Sequence, residues 1–219
     1  MSDIEVLVWP EPVRRRPEMY IGSLDDPGVC NCFITEALCD SFDNIVSGQC
    51  SEVSITISPD RVTVANNGPG VSMRRDDDGT PLAQRLMTEL FACRHMKANE
   101  TIGKDICRNG IAVINALSSQ CTVDNKTNGQ HWQQNYTQGL PTSPFVDLGT
   151  TSESGFSIKF TPDAALIQSP SYDIPAFCNW LVGLRFTGGE AVLTIRDQQT
   201  NHTSVAFLTN GTFSLQSAG

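Results

Sequence analysis

The apolar residues of this chain change their spacing along its length, and that change restricts the fold more than any other feature. Early on they recur at three and four: Phe33, Ile34, Ala37, Leu38, Phe42, Ile45 and Val46 fall on one side of a helix. The turn signal Asp25-Asp26-Pro27-Gly28 precedes that run, and Gly48 stands where helices commonly end. Thr80-Pro81 predicts the cap and first turn of a second helix through Leu82, Leu86, Leu90 and Phe91. Residues 110–118 predict a third, carrying Ile111, Val113, Ile114, Ala116 and Leu117. Beyond it the pattern reads as strands: 120–123 and 131–136 about an Asn128-Gly129 turn, 156–160, and 191–195 pairing with 204–208. Two elements cross the division. Val53, Ile55 and Ile57 turn at Pro59-Asp60 into Val62 and Val64 as an early hairpin, and Pro175 opens a late helix through Phe177, Trp180 and Leu181.

Helices gathered early and strands late predict an α+β fold, a two-layer sandwich with helices packed on one face of a mixed, largely antiparallel sheet. No repeat, charge block or low-complexity linker divides the 219 residues, so 1–219 is read as a single domain. A net charge of −9 argues against a direct hold on nucleic-acid backbones. The opening residues lack the basic and apolar runs of a signal peptide, and no apolar segment has the length of a membrane span, so a cytoplasmic protein without a membrane partner is expected. The eight cysteines show no C-x-x-C pair and read as free thiols. The Asn-x-Ser/Thr triplets at Asn125, Asn135, Asn201 and Asn210 read as chance in an Asn/Thr-rich chain.

One polar stripe has chemical potential. Glu36, Asp40, Asp43 and Ser47 follow each other at helical spacing opposite the apolar face of the first helix, which by spacing alone reads as a solvated stripe. Asn66-Asn67-Gly68-Pro69-Gly70 follows an alternating strand, and its composition alone reads as a turn.

The segment Val13-Arg14-Arg15-Arg16-Pro17-Glu18-Met19-Tyr20-Ile21-Gly22-Ser23 is very similar to the opening signature of bacterial gyrase B and topoisomerase IV subunits. Segments 36–48, 62–70, 113–118 and 155–162 resemble that family in the same order, so the resemblance spans nearly the whole chain. It implies the Bergerat, or GHKL, ATPase fold, with ATP and magnesium as ligands. By resemblance Glu36 is the general base that polarises the attacking water, and Asp40 replaces the magnesium-binding asparagine with another oxygen donor. Asp43 lies beside them, and Asn66, Gly68, Gly70 and Val71 match the adenine-side loop, with Asn66 in place of an aspartate. Gly103, Lys104, Arg108 and Gly110 fall in the stretch matching the phosphate loop, and Phe156 stands where the family has a threonine near the base.

The departures cluster at the nucleotide. Pro69 and Asn44 replace an arginine–glutamate pair, residues 103–110 keep few of the family's glycines, Cys93-Arg94-His95-Met96 stands for Gly-Gly-Lys-Phe, and Gln133 replaces an arginine. Phe156 reads equally as a core strand residue, and Trp132 and Trp180 read as core. Two functions are therefore expected in competition. One is an ATP-binding domain, hydrolysing ATP where the site is competent, that works with the remaining topoisomerase domains or gyrase subunits. The other is a degenerate pseudo-ATPase that acts as a protein-binding or regulatory module. The family's catalytic lysine lies beyond the matching region, and with almost no N-terminal arm before residue 4 the chain is expected to be monomeric.

Overall fold

The computed structural model describes residues 6–90 and 109–218. Phe91 and the predicted ligands Gly103, Lys104 and Arg108 lie outside the described residues. Two short helices, α1 (Glu11–Arg15) and α2 (Glu18–Ile21), carry the opening motif and precede the long helix α3 (Asn31–Val46). The hairpin β1 (Glu52–Ile57) and β2 (Val62–Asn66) follows, then α4 (Leu82–Thr88) and α5 (Ile111–Ala116). The strands β3 (Ser118–Thr127), β4 (Gln130–Thr137), β5 (Leu140–Pro141), β6 (Val146–Thr150) and β7 (Gly155–Pro162) come next. Helix α6 (Ile174–Val182) leads into β8 (Ala191–Asp197), β9 (His202–Thr209) and β10 (Thr212–Ala218). Asp173 caps α6, its Oδ1 accepting from the Ala176 N–H at 2.9 Å.

The strands form one sheet in the order β10-β9-β8-β1-β2-β7-β3-β4-β5, with β6 also on β4. β1 runs parallel to β8, and the other named pairs are antiparallel, which is the mixed sheet expected. The β1–β2 hairpin and the β8–β9 pair fall where the alternation predicts them. Asn128 and Gly129 both take positive φ, 52° and 77°, the twist that a two-residue connection between β3 and β4 requires.

Alternation separates the two faces of the sheet. Val53, Ile55, Val64, Val123, Ile158 and Leu193 point into the core with the apolar side of α3, as period two dictates. Phe33 of α3 stacks on Phe160 of β7 at 5.7 Å between ring centres. Phe42 meets Trp180 of α6 and Phe186, and Phe186 meets Phe213 of β10, so an aromatic chain joins helices to the far edge of the sheet. Trp180 is thus core-packed as expected, whereas Trp132 on β4 is only half-buried.

Several boundaries differ from the sequence reading. The helix expected over 110–118 stops at Ala116, and β3 begins at Ser118, because Leu117 caps the helix while its side chain continues the apolar run. Pro81, not Thr80, occupies the cap of α4, in an extended conformation. No helix among the described residues is long and apolar enough to cross a membrane.

Candidate functional site

Glu36 lies on the second turn of α3 and is 6% exposed, so a solvated stripe does not describe it. Burying a carboxylate is costly unless donors meet it. Here the backbone N–H of Gly110 donates to Oε2 at 2.8 Å and that of Asn109 to Oε1 at 3.2 Å. Both belong to the turn that opens α5, whose first N–H groups have no carbonyl partner within the helix. Gly110 takes φ +87° there. The Asn109 side chain donates to the Tyr20 carbonyl at 3.0 Å, tying the opening motif to the same turn.

One helical turn beyond Glu36, Asp40 Oδ2 accepts from Asn44 Nδ2 and from Asn66 Nδ2, each at 3.1 Å. Asn66 also donates to Ser41 Oγ at 3.1 Å, while its Oδ1 accepts from the Gly68 N–H at 2.9 Å. Helix α3 and the end of β2 are therefore joined through the Asp40 carboxylate, the Ser41 hydroxyl and the Asn66 amide. Asn44 lies close against this loop, since a Cβ on Gly68 would stand 3.1 Å from its Nδ2. Neither Asn44 nor Pro69 carries a charge, so none is isolated at either position. Asp43, three residues past Asp40, is half-buried on the same helix.

The loop then presses against β3. Gly70 has φ +73°, and a Cβ there would come within 2.5 Å of the Lys126 carbonyl, so both conformation and space demand glycine. Val71 is buried next to it. Phe156 pairs in register with Asn66 across β2 and β7 and with Asn125 across β7 and β3. At 3% exposure its ring belongs to the core beside the loop. Gln133 is not brought to the site. It donates to Asp124, which it shares with His131, on the face away from the helices.

That opposite face carries a shallow groove of about 990 Å³ floored by Ser54, Ala65, Ser157 and Thr194. Asn66, Asn67 and Phe156 reach its lining, but Glu36 and Asp40 do not: the buried acid and the helix-opening turn meet on the helix side, where Asp40 also takes the Asn66 amide. Asp40 offers a hard oxygen donor of the kind magnesium favours. Among the described residues no group of three His, Cys, Asp or Glu side chains is placed to hold a metal alone. Asn66 Oδ1 accepts from the Gly68 N–H, and an amide oxygen can take a second donor. The six described cysteines are free, and burial pushes the Cys30 thiol up to about 11, against a weaker opposing hydrogen bond at Ser171.

Sequence reasoning missed Ser41, Asn109 and Asn125 as site-shaping residues. A signal existed for Asn125: period two puts it inward with Cys121 and Val123, where an asparagine needs partners.

No family model matches the chain. The chain is 32% identical over 201 residues to the DNA gyrase B subunit of Clostridium acetobutylicum, covering 90% of this chain and 31% of that protein. It is 30% identical over 202 residues to the gyrase B subunit of Borrelia hermsii, and 28% identical over 217 residues to that of Haloferax volcanii. These matches cover 91% and 96% of the chain, and 32% and 34% of the relatives. The chain thus spans about a third of the length of the curated relatives it matches. Buried acid, glycine-bound loop and sheet order stand together over the stretch those relatives share: the chain is a gyrase B-like domain.

Proposed function

We propose that residues 1–219 form one nucleotide-binding domain that takes ATP between α3 and the 66–71 loop and hydrolyses it, working with the remaining parts of a gyrase-type enzyme. The observation that carries this reading is Glu36. A carboxylate 6% exposed on an otherwise apolar stretch of helix, held by the backbone N–H groups that open α5, is poorly explained by stability alone. Its neighbour one turn on, Asp40, is tied to Asn66, so one hydrogen bond links the helix that carries the acid to the 66–71 loop.

In this reading Glu36 accepts the proton of the attacking water. Asp40 holds magnesium, which supplies charge neutralisation for the phosphates. Asn66 accepts from the base amino group, and Gly68, Gly70 and Val71 let the backbone approach the base closely. Asp43 and Gly110 complete the set within the described residues, while Gly103, Lys104 and Arg108 are proposed as phosphate contacts. DNA is not a proposed ligand of this domain, whose net charge is −9.

Titration calorimetry with a non-hydrolysable ATP analogue and magnesium tests the reading. Micromolar binding that weakens about tenfold in Asn66→Ala, the loss of one good hydrogen bond, supports it. No heat at millimolar analogue overturns it.

A further inference from the structure

Asn125 sits at an inward position of β3 and is completely buried, 0% exposed. An amide in such a position must find partners for its donor and its acceptor, and these come from the segment after β2: chiefly Val71, with Met73 Sδ also accepting from Nδ2 at 3.3 Å. Its Oδ1 accepts from the Val71 N–H at 2.8 Å, and its Nδ2 donates to the Val71 carbonyl at 2.8 Å. The side chain thus offers Val71 the same pair of bonds that a neighbouring strand would offer. It is a one-residue strand, made of a side chain, laid against the end of the 66–71 loop.

The contact is tight on both sides. A Cβ on Gly70 would stand 2.8 Å from Asn125 Oδ1 and 3.0 Å from Thr127 Cβ, so the loop has no room to shift towards β3. At its start the same loop is anchored by Asn66, through Asp40, Ser41 and Gly68. Asn67 anchors it again, its Oδ1 accepting from the N–H groups of Ser51 and Glu52 at 3.0 Å. A loop fixed only at its start would still swing about Gly68 and Gly70. The pair at Val71 removes that freedom before any ligand arrives.

We propose that Asn125 is a positioning residue for ligand binding: it fixes the 66–71 loop in its binding shape so that association does not have to order it. The inference rests on the nucleotide reading above for the identity of the ligand. Asn125 does not touch the ligand. Its effect falls on affinity, because the cost of ordering the loop is met before binding in the native chain and during binding without the amide.

The test compares the native chain with Asn125→Ala, which leaves room for water at Val71, and with Asn125→Leu, which fills the space without hydrogen bonds. Affinity for a non-hydrolysable ATP analogue, KM and kcat are measured on each, with amide hydrogen exchange at Val71 as a ligand-free readout. Expected in both variants is a rise of about tenfold in Kd and KM with kcat within about twofold, and faster exchange at Val71. A merely structural asparagine would instead lower the active fraction and kcat while KM stays fixed. If Asn125→Leu does not fold, the Asn125→Ala result stands alone. Equal Kd in native and variant chains overturns the positioning role and leaves the nucleotide reading intact. No binding by the native chain overturns the nucleotide reading, and the role of Asn125 in binding with it.

Discussion

Two buried acids in this molecule are met in different ways. Asp163, just past β7, receives the Arg14 guanidinium of α1 at 2.7 Å, with the Gln138 amide and the Ala165 N–H beside it at 3.0 Å. Arg14 also donates to the Ala116 carbonyl at 2.8 Å, at the end of α5. Glu36, beyond the opposite end of α5, is met by the backbone N–H groups of Asn109 and Gly110. Both contacts hold α5, one at each end. At Asp163 an ion pair with Arg14, backed by two neutral donors, satisfies the carboxylate and serves as a lock. At Glu36 the two backbone N–H groups are neutral donors that meet the carboxylate without exchanging a proton.

The largest expected effect tests the chemical side of that contrast. Glu36→Gln preserves size and one acceptor oxygen but cannot take a proton. ATP turnover, followed by phosphate release, is expected to fall by at least about a hundredfold with analogue affinity little changed. Turnover at the native rate would reduce Glu36 to a second lock. Next in size is the lock itself. Arg14→Ala leaves Asp163 buried without its cation and is expected to cost about 3 kcal/mol of stability in urea unfolding, while analogue affinity holds. A matching loss of affinity would mean that the two ends of α5 are not separable.

Acid sharpens the same point. Burial raises the Asp163 pKa, but hydrogen bonds from Arg14, the Ala165 N–H and Gln138 outweigh it, and the carboxyl is held below the usual carboxylate range. A depressed folded pKa contributes stability in full above the unfolded value of about 4, and that contribution is lost as pH falls through the folded value. The native chain should therefore lose stability on acidification through that window. Arg14→Ala, already without the pair, should lose less over the same range, and parallel pH profiles would count against the lock.

How much of this was legible beforehand follows from the range over which each signal acts. Helix α3 and the β1–β2 hairpin are written in local spacing, and Gly48, with φ +70°, ends the helix as its position predicts. Helices α1 and α2 are too short to show a period, and β6, exposed along its whole length, has no alternation to read. At the site, Glu36 and Asn66 are visible through resemblance, but their partners are not. Asn109 meets Glu36 across 73 residues and Tyr20 across 89, and Val71 meets Asn125 across 54. Spacing along the chain carries no trace of such pairs. Asn125 was further disguised by its triplet with Lys126 and Thr127, which only its complete burial separates from a surface sequon.

The smallest expected effect bears on the ring beside the loop. Phe156 pairs with Asn66 and Asn125, the residues that anchor the two ends of the 66–71 segment, and is 3% exposed. Phe156→Thr opens space at that point and restores a hydroxyl, at an expected cost of about 3 kcal/mol in stability from the lost ring. If the ring stands in the place of the base, the variant binds the ATP analogue about tenfold more tightly than the native chain, a gain of about 1.4 kcal/mol. If the ring is only core, affinity stays level or falls as the loop loosens. Calorimetry on the folded variant, at a temperature well below its unfolding transition, separates the two. A native chain silent towards the analogue and a Phe156→Thr variant that binds it would place the loss of binding in a single side chain, the ring that denies the nucleotide base its seat.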